Sequence, residues 1–342
     1  MAAYALTDLD SDAFSLAQNE SFWPPSPAAL AALADGHTAH ALYPDPDWTA
    51  LRAAIAGVHG LPPDHLLCGS GSMELLGAVI RAFSGPGDTV LASDYSYAYV
   101  ATACRHAGSE RLSVPEPDYR VDVDALLDAV RDTTRIVFVA NPGNPTGTHV
   151  PPRELIRLRS ALPDHVLLVV DEAYGEFAPA DGGVLWPLIE RGDTVVTRSF
   201  SKAYALAGAR VGWCALHASL AAEVRKLLNP NNVSRASQRA AAAAIQDANH
   251  LETVVAATRA ARTQLCDGVR ALGLAAPESH TNFVLVPFAD AQTCTRADTT
   301  LRSCGVQARS LGGYGLSHCL RITVADPPTI STVLSAIEDS LS

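Results

Sequence analysis

A single lysine stands among hydroxyl and guanidinium groups in the segment 199–210, Ser-Phe-Ser-Lys-Ala-Tyr-Ala-Leu-Ala-Gly-Ala-Arg. Ser199 and Ser201 offer hydroxyl donors and Arg210 offers a planar fork of N–H donors, a combination that suits a phosphate. The amine of Lys202, placed among them, has the chemistry to form a Schiff base with a carbonyl cofactor. The same residue types are ordinary in loops, so the segment taken alone fits a solvated strand-to-loop junction equally well.

A glycine-rich stretch at 68–74, Cys-Gly-Ser-Gly-Ser-Met-Glu, precedes a helical pattern. At such a helix start, backbone N–H groups approach a phosphate closely and the helix dipole favours its negative charge. The stretch is not a dinucleotide fingerprint, because Glu74 stands at the third glycine position, and it lacks the lysine of a P-loop. A plain Gly/Ser helix cap is the simpler interpretation.

Three further polar features lie at predicted strands. The segment 141–147, Asn-Pro-Gly-Asn-Pro-Thr-Gly, predicts a rigid turn. Asp171 follows an apolar run at 166–170, where a carboxylate is costly unless a cation such as a protonated cofactor ring nitrogen pairs with it. A salt bridge or a helix cap is the alternative. Arg321, inside the apolar strand 318–324, faces either solvent at an edge or a carboxylate, which arginine binds in bidentate fashion.

Apolar strands alternate with helical patterns from about residue 47 to 245. The strands are predicted at 89–92, 135–140, 166–170 and 194–197, with helices between them at 122–132 and 151–161. This alternation predicts an α/β fold with a mostly parallel central sheet covered by helices on both faces. In such sheets, ligands bind at the carboxyl ends of the strands.

The pattern changes after residue 246. A long helix at 250–273, a strand at 282–286, a helix at 291–304, a strand at 320–324 and a final helix predict a smaller α+β domain. The expected division is an N-terminal arm at 1–30 that belongs to the small domain, a large domain at 31–245 and a small C-terminal domain at 246–342.

Composition narrows the classes of partner. The chain has 342 residues, and its 25 Lys and Arg against 36 Asp and Glu argue against nucleic acid or an anionic membrane as the main partner. No secretory signal or long apolar run is evident, so a cytoplasmic location is expected. The 7 cysteines form no C-x-x-C pair. Neither a metal site nor a disulfide framework is therefore predicted.

Together these segments resemble the fold-type I, pyridoxal-phosphate-dependent aminotransferases of class I/II, with the greatest likeness to the histidinol-phosphate aminotransferase branch. The resemblance covers nearly the whole chain in order: 19–20, 43–45, 69–74, 141–147, 171–174, 199–210 and 320–323. It implies an aspartate-aminotransferase-like fold, pyridoxal 5'-phosphate as cofactor and a homodimer with shared active sites.

The resemblance also implies roles for individual residues. Lys202 would form the Schiff base with the cofactor and later shuttle a proton. Asp171 would keep the pyridine nitrogen protonated, and Asn144 and Tyr174 would bind the phenolic oxygen. The cofactor phosphate would be bound by a larger set: Ser199, Ser201, Arg210 and the backbone at Ser72 and Met73.

Other roles concern the ring face, the partner and the substrate. Tyr97, placed by counting from the turn at 86–87, would stack on the cofactor ring, although core packing is the alternative for it and for the neighbouring tyrosines at 95 and 99. Tyr43 would reach the cofactor phosphate of the partner subunit. Arg321 would bind the substrate's α-carboxylate.

The positions that would determine the substrate match the family pattern less well. Arg309 stands where the branch has an arginine for the substrate's phosphate; it could equally cap a loop or bind a distal carboxylate. Asn19 and Glu20 border the expected substrate pocket. Relatives continue this segment as Asn-Glu-Asn-Pro, whereas here Phe22 and Trp23 come soon after Glu20. These aromatic residues would also suit an aromatic amino acid.

The expected function is therefore transfer of an amino group between an L-amino acid, or histidinol phosphate, and a 2-oxo acid. A decarboxylase of an amino acid phosphate, or a specialised oxidase or lyase, would use the same cofactor groups. A non-catalytic cofactor-binding regulator is the other class, but no basic helical extension is present. A nicotinamide dehydrogenase would fit the alternation but would need the missing fingerprint.

Overall fold

A computed structural model describes residues 14–35, 41–179 and 185–342. The strands are, in chain order, β1 (Phe14–Ser15), β2 (Leu66–Gly69), β3 (Thr89–Ser93), β4 (Glu110–Val114), β5 (Thr134–Ala140), β6 (Leu167–Asp171), β7 (Thr194–Ser199), β8 (Gly212–Leu216), β9 (Phe283–Pro287), β10 (Val306–Gln307), β11 (Arg309–Leu311) and β12 (Leu316–Thr323). The helices are α1 (Pro27–Ala34), α2 (Thr49–His59), α3 (Ser72–Phe83), α4 (Tyr99–Ala107), α5 (Val123–Asp128), α6 (Pro152–Ala161), α7 (Trp186–Glu190), α8 (Ala218–Arg225), α9 (Arg235–Gln246), α10 (Ala248–Ala271), α11 (Ala291–Ser303) and α12 (Pro327–Leu341).

The central sheet has seven strands in the order β2-β8-β7-β6-β5-β3-β4. Strands β3 to β7 pair in parallel, whereas β8 runs antiparallel to both of its neighbours. The prediction of an α/β fold with a mostly parallel central sheet is confirmed. The middle strands are continuous apolar runs with both faces buried, because helices cover the sheet on each side.

The predicted helix over 122–132 is shorter in the structure. It begins after Asp122, whose carboxylate accepts from two backbone N–H groups, and ends at Asp128. The chain then turns into β5, with Arg131 N donating to the Thr134 hydroxyl and Thr134 N donating to Arg131 O, both at 2.9 Å. This local turn is favoured over another helical turn by the Thr134 side chain.

A second, separate core surrounds a three-stranded antiparallel sheet in the order β11-β12-β9. Helices α10, α11 and α12 contribute to this core through buried residues such as Leu265, Leu301 and Ile337. The N-terminal segment joins it as well, because β1 pairs in parallel with β10 and Leu16 is buried there. Within the described ranges, every helix is too short or too polar to span a bilayer.

The carboxyl end of the central sheet collects polar residues. Asp171 is the last residue of β6, Ser199 is the last of β7, and Gly69 is the last of β2. Asn141 follows β5 directly, and its backbone N–H donates to Asp171 O at 2.9 Å. The edge of the sheet therefore places four of the sequence segments side by side.

Candidate active site

Lys202 lies between the two cores. Its Nζ donates to Asn19 O at 2.9 Å and to Gln18 O at 3.3 Å, and it lies 5.6 Å from the centre of the Tyr174 ring. Burial, together with the positive charge of Arg321, lowers the pKa of Lys202 to about 7. A large fraction of this amine is therefore uncharged near neutral pH, as a nucleophile must be.

Asp171 is 6% exposed, and its Oδ1 accepts from the Thr197 hydroxyl at 2.7 Å. Burial raises the pKa of this carboxyl to about 6, against the opposing effect of that hydrogen bond. A buried carboxyl of this kind gains stability when a cationic group, such as a protonated ring nitrogen, is brought beside it. The hydroxyl of Thr197, which the sequence analysis did not identify, orients Asp171.

Tyr174 and Asn144 each have a hydrogen bond that fixes which atom remains for a ligand. Asn19 Nδ2 donates to the Tyr174 hydroxyl at 2.7 Å, so that hydroxyl keeps its own proton to donate. Asn144 Oδ1 accepts from Arg321 Nη1 at 2.6 Å, which leaves the Asn144 amide N–H groups as donors. Tyr174 is held by the edge of the Phe283 ring, with centroids 5.3 Å apart.

The start of α3 forms a cradle for an anion. Gly71 adopts φ +85°, and a Cβ there would lie 2.8 Å from Arg210 Nη2, so the guanidinium packs directly over this glycine. The N-cap residue Gly71 has no side chain to cap the helix, which leaves the N–H groups of Ser72 and Met73 directed out of the helix end. Gly212 in β8 supports the loop from behind, because a Cβ at Gly212 would collide with Ser72 N.

The hydroxyl pair comes from the end of β7. Ser199 and Ser201 are both buried, and Ser201 N donates to Ser199 Oγ at 3.1 Å. Arg210 holds a left-handed backbone conformation (φ 53°) and donates from Nη1 to Ala207 O at 2.9 Å, which directs its guanidinium back over the glycine loop. The helix start and the lysine segment thus meet on one side of the site.

Arg309 and Arg321 are direct cross-strand partners in the antiparallel pair β11–β12. Residues opposite one another in such a pair project from the same face of the sheet, so the two guanidinium groups share one face. Arg321 is 7% exposed, donates from Nη2 to Ala17 O at 2.8 Å and lies over the Phe283 ring at 5.2 Å. Two cations side by side favour an anion with several oxygen atoms.

The three neighbouring tyrosines have different surroundings. The Tyr97 hydroxyl lies 3.7 Å from Met73 Sδ, at the start of α3. Tyr95 instead packs near Tyr119, with ring centroids 6.1 Å apart. Tyr99 is directed at Gly77 inside the large core.

Two of the expected residues are exposed in this subunit. Tyr43 is 85% exposed, without enclosure by its own subunit. Glu20 is exposed; its carbonyl accepts from Asn282 Nδ2 at 3.2 Å, and its negative charge raises the pKa of Lys202 against the larger opposing effects. Phe22 packs between Phe14 and Trp23, with centroids at 6.0 and 5.7 Å.

Two groups of residues support the site without having been found from the sequence. Arg198 forms a largely buried ion cluster with Glu172 at 2.6 Å and Glu176 at 3.4 Å, next to the turn that carries Tyr174. The Asn232 side chain links the glycine-rich loop to Trp48, which is distant in sequence, through hydrogen bonds to both. The described residues do not bring together three His, Cys, Asp or Glu side chains as a metal ion would require.

Known proteins match this chain along almost its whole length. The sequence model of the family Aminotransferase class I and II matches residues 6–337. A histidinol-phosphate aminotransferase of Jannaschia sp. (strain CCS1) is 40% identical over 329 residues, which covers 96% of this chain and 91% of that protein. One from Rhodospirillum centenum is 42% identical over 333 residues, with coverage of 95% and 91%. The crystal structure of histidinol-phosphate aminotransferase from Sinorhizobium meliloti in complex with pyridoxal-5'-phosphate has a TM-score of 0.91 at 32% identity, covering 96% of this chain and 90% of that one.

Proposed function

Because the chain belongs to the class I and II aminotransferases, we propose that its amino donor is L-histidinol phosphate and its acceptor a 2-oxo acid. The enzyme is a pyridoxal-phosphate-dependent aminotransferase, so the family, reaction class and cofactor expected from the sequence are confirmed. Nothing in the comparisons favours the decarboxylase alternative. The relatives named histidinol-phosphate aminotransferase support the donor.

The residues present fit pyridoxal 5'-phosphate. A buried carboxyl with a raised pKa, Asp171, suits the ring nitrogen, and the uncapped start of α3 beneath Arg210 suits the phosphate. Lys202 supplies an amine with a lowered pKa. The bound cofactor contributes an aldehyde carbon for that amine and a ring that accepts the electron pair left on the substrate carbon.

We assign the proton-handling work to Lys202. Its pKa of about 7 lets Nζ be an uncharged nucleophile first and a proton carrier afterwards, at the same pH. The carbonyls of Gln18 and Asn19 orient the amine in the meantime, at 3.3 and 2.9 Å. From the position that these carbonyls define, Nζ would move the proton on and off the substrate carbon.

Asp171, Tyr174 and Asn144 are assigned to the ring. The Asp171 carboxylate keeps a proton on the ring nitrogen, and Thr197 holds that carboxylate in place at 2.7 Å. The Tyr174 hydroxyl and the Asn144 amide both have free donor capacity for the phenolic oxygen, because their acceptor atoms are already used by Asn19 and Arg321. Tyr97 is proposed to cover the ring face.

The observation that carries the substrate proposal is the register of β11 with β12, which sets Arg309 directly opposite Arg321. A phosphate monoester carries close to two negative charges and three acceptor oxygens at neutral pH, so it matches two forked cations better than a carboxylate does. L-Histidinol phosphate has no carboxylate, and Arg321 is proposed to bind the α-carboxylate of the 2-oxo acid when the acceptor occupies the site. Asn19 and Glu20 border the same space and are proposed to contact the substrate. A distal carboxylate would be the competing anion.

The test compares L-histidinol phosphate, L-histidinol and L-phenylalanine as donors, with 2-oxoglutarate as acceptor. We expect kcat/KM to be highest for the phosphorylated donor. Arg309→Ala should lower that value by about 10- to 100-fold, the worth of one hydrogen-bonded charge contact, with little effect on L-histidinol. Arg302→Ala, on the exposed end of α11, is the matched control. Equal losses for both donors would refute a phosphate role, and preference for phenylalanine would replace the proposed donor.

We also propose a cytoplasmic homodimer with shared sites. Tyr43 and Leu42 are 85% and 62% exposed, which supports a role for this segment against a second copy. All seven cysteines are free thiols, as expected of a reducing compartment. Sedimentation analysis tests the dimer, and cell fractionation tests the location.

The division of the chain into a large domain at 31–245 and a small domain formed by 1–30 and 246–342 stays a proposal. It is supported by two separate apolar cores, one around the central sheet and one around β11-β12-β9. Limited proteolysis tests it, since cleavage should concentrate near residue 246.

A further inference from the structure

Asn232 uses nearly all of its hydrogen-bonding capacity. Its Nδ2 donates to Glu74 Oε2 at 2.7 Å and to Cys68 O at 3.4 Å, its Oδ1 accepts from Trp48 Nε1 at 3.0 Å, and its carbonyl accepts from the Ser70 hydroxyl. These partners come from segments more than 150 positions away in sequence. We call this set, namely Trp48, Ser70, Glu74 and Asn232, the clasp.

At one end, the clasp makes hydrogen bonds to the glycine-rich loop. Glu74 lies in the first turn of α3, and its Oε2 also accepts from Ser70 N at 2.6 Å. A carboxylate beside an anion site competes with the anion for N–H groups and for the arginine. Donation from Asn232 Nδ2 and Ser70 N fixes Glu74 Oε2 on the Ser70 side of the loop, and thus leaves the N–H groups of Ser72 and Met73 for the phosphate.

At its other end, the clasp holds the segment 43–48. Trp48 is 1% exposed and stands in the left-handed conformation (φ 50°) immediately before α2. Arg225 covers its ring at 4.7 Å and donates to Pro46 O at 2.8 Å, and Asp45 caps the helix by accepting from Thr49 N at 2.7 Å. The segment is therefore rigid behind Tyr43, whose own side chain is exposed.

We propose that Asn232 is a positioning residue that couples the cofactor-phosphate loop of one subunit to its segment 43–48, so that cofactor binding and subunit association strengthen each other. The inference rests on the proposed phosphate site and the proposed dimer. By thermodynamic reciprocity, the factor by which association tightens cofactor binding equals the factor by which the cofactor tightens association. No contact between Asn232 and the cofactor is required.

The test measures the dissociation constant of pyridoxal 5'-phosphate by fluorescence, and the self-association constant by sedimentation with and without cofactor. For Asn232→Leu we expect cofactor binding about tenfold weaker, because a hydrogen bond to a charged group is lost. The cofactor's effect on self-association should also fall by several-fold, since the part of the coupling that passes through Asn232 is lost while the direct contact expected of Tyr43 remains. Asn249→Leu, the same exchange at an exposed position of α10, should behave as the wild type.

Two further variants separate the possible outcomes. Trp48→Phe keeps an aromatic ring but removes the donor to Asn232, and should weaken cofactor binding in the same direction although Trp48 is remote from the phosphate. Combined with Asn232→Leu, its effect should be less than additive. Trp48→Phe and the size-preserving Asn232→Asp also serve if Asn232→Leu does not fold.

The clasp proposal is overturned if Asn232→Leu and Asn232→Asp bind cofactor as the wild type does while Arg210→Met binds it weakly. It is also overturned if weaker cofactor binding leaves the cofactor's effect on self-association unchanged. If Arg210→Met binds cofactor normally, the phosphate assignment itself is wrong. If the wild type does not self-associate, the dimer is wrong and the coupling with it.

Discussion

Replacing Asp171 by asparagine should stabilise the cofactor-free protein at alkaline pH while removing activity. Burial raises the pKa of this carboxyl from 3.8 to about 6. A carboxyl group whose pKa is higher in the folded state than in the unfolded state leaves the fold at full stability at pH values below its unfolded-state pKa. That stability is lost as the pH rises through the folded-state pKa. The ionised form at pH 8 therefore costs the fold about 3 kcal/mol, since one pKa unit is worth about 1.4 kcal/mol.

At pH 5, which lies between the two pKa values, only about half of that cost applies. Asparagine removes the charge and keeps an oxygen to accept from Thr197 at 2.7 Å, where Asp171 Oδ1 now does. The gain in free energy of unfolding of Asp171→Asn over wild type should thus be about 1.5 kcal/mol larger at pH 8 than at pH 5. Urea unfolding of both proteins without cofactor measures this difference.

The control is Asp128→Asn, which makes the same exchange at the exposed end of α5. With cofactor bound the order should reverse, because the ring cation pairs with Asp171 in the wild type but not in the variant. A difference between Asp171→Asn and wild type that is identical at pH 5 and pH 8 would refute the argument from burial.

Four further expectations concern the lysine, its charged neighbour Arg321 and the Arg198 ion cluster. Lys202→Ala should fold normally yet lose the absorbance band of covalently held cofactor; an unchanged band would show that another amine holds it. The rate of cofactor capture by the cofactor-free protein should rise with pH around 7, where Lys202 loses its proton. In Arg321→Gln that midpoint should move upward, because a nearby positive charge is removed; an unmoved midpoint would exclude this effect. Arg198→Met leaves Glu172 and Glu176 without their cation and should cost about 3 kcal/mol in urea unfolding, whereas a neutral result would mean that water enters the cluster.

The sequence alone predicts the central sheet well because its strands are buried on both faces. The runs at 135–140 and 194–197 match β5 and β7 closely, since no polar face interrupts them. The ends are less well predicted: Asp171 and Ser199 each form the last residue of a strand rather than following it. Backbone pairing, which extends past the apolar run, decides these bounds.

Contacts between distant segments could not be predicted from local pattern. The amide of Asn232 meets the carboxylate of Glu74 across 158 positions, and Asn232 belongs to no motif that the sequence displays. Similarly, the pairing of Arg309 with Arg321 depends on strand register, because a shift of one residue would place one of the two side chains on the opposite face of the sheet. The tyrosines at 95, 97 and 99 lie too close together in sequence for spacing to choose Tyr97 among them, and only their surroundings in the structure distinguish them.

The separation of the two sheets has a consequence for how such an enzyme changes over time. Residues assigned to the cofactor belong mostly to the seven-stranded sheet and its loops, whereas the paired arginines belong to β11 and β12. Strand β11 has three residues and lies at an edge, with an irregular register between Ser310 and Leu311. Edge positions of this kind accept substitution at small cost to the core. New donors can therefore be recruited by altering a short peripheral strand, while the amine and carboxyl to which we assign the chemistry stay untouched.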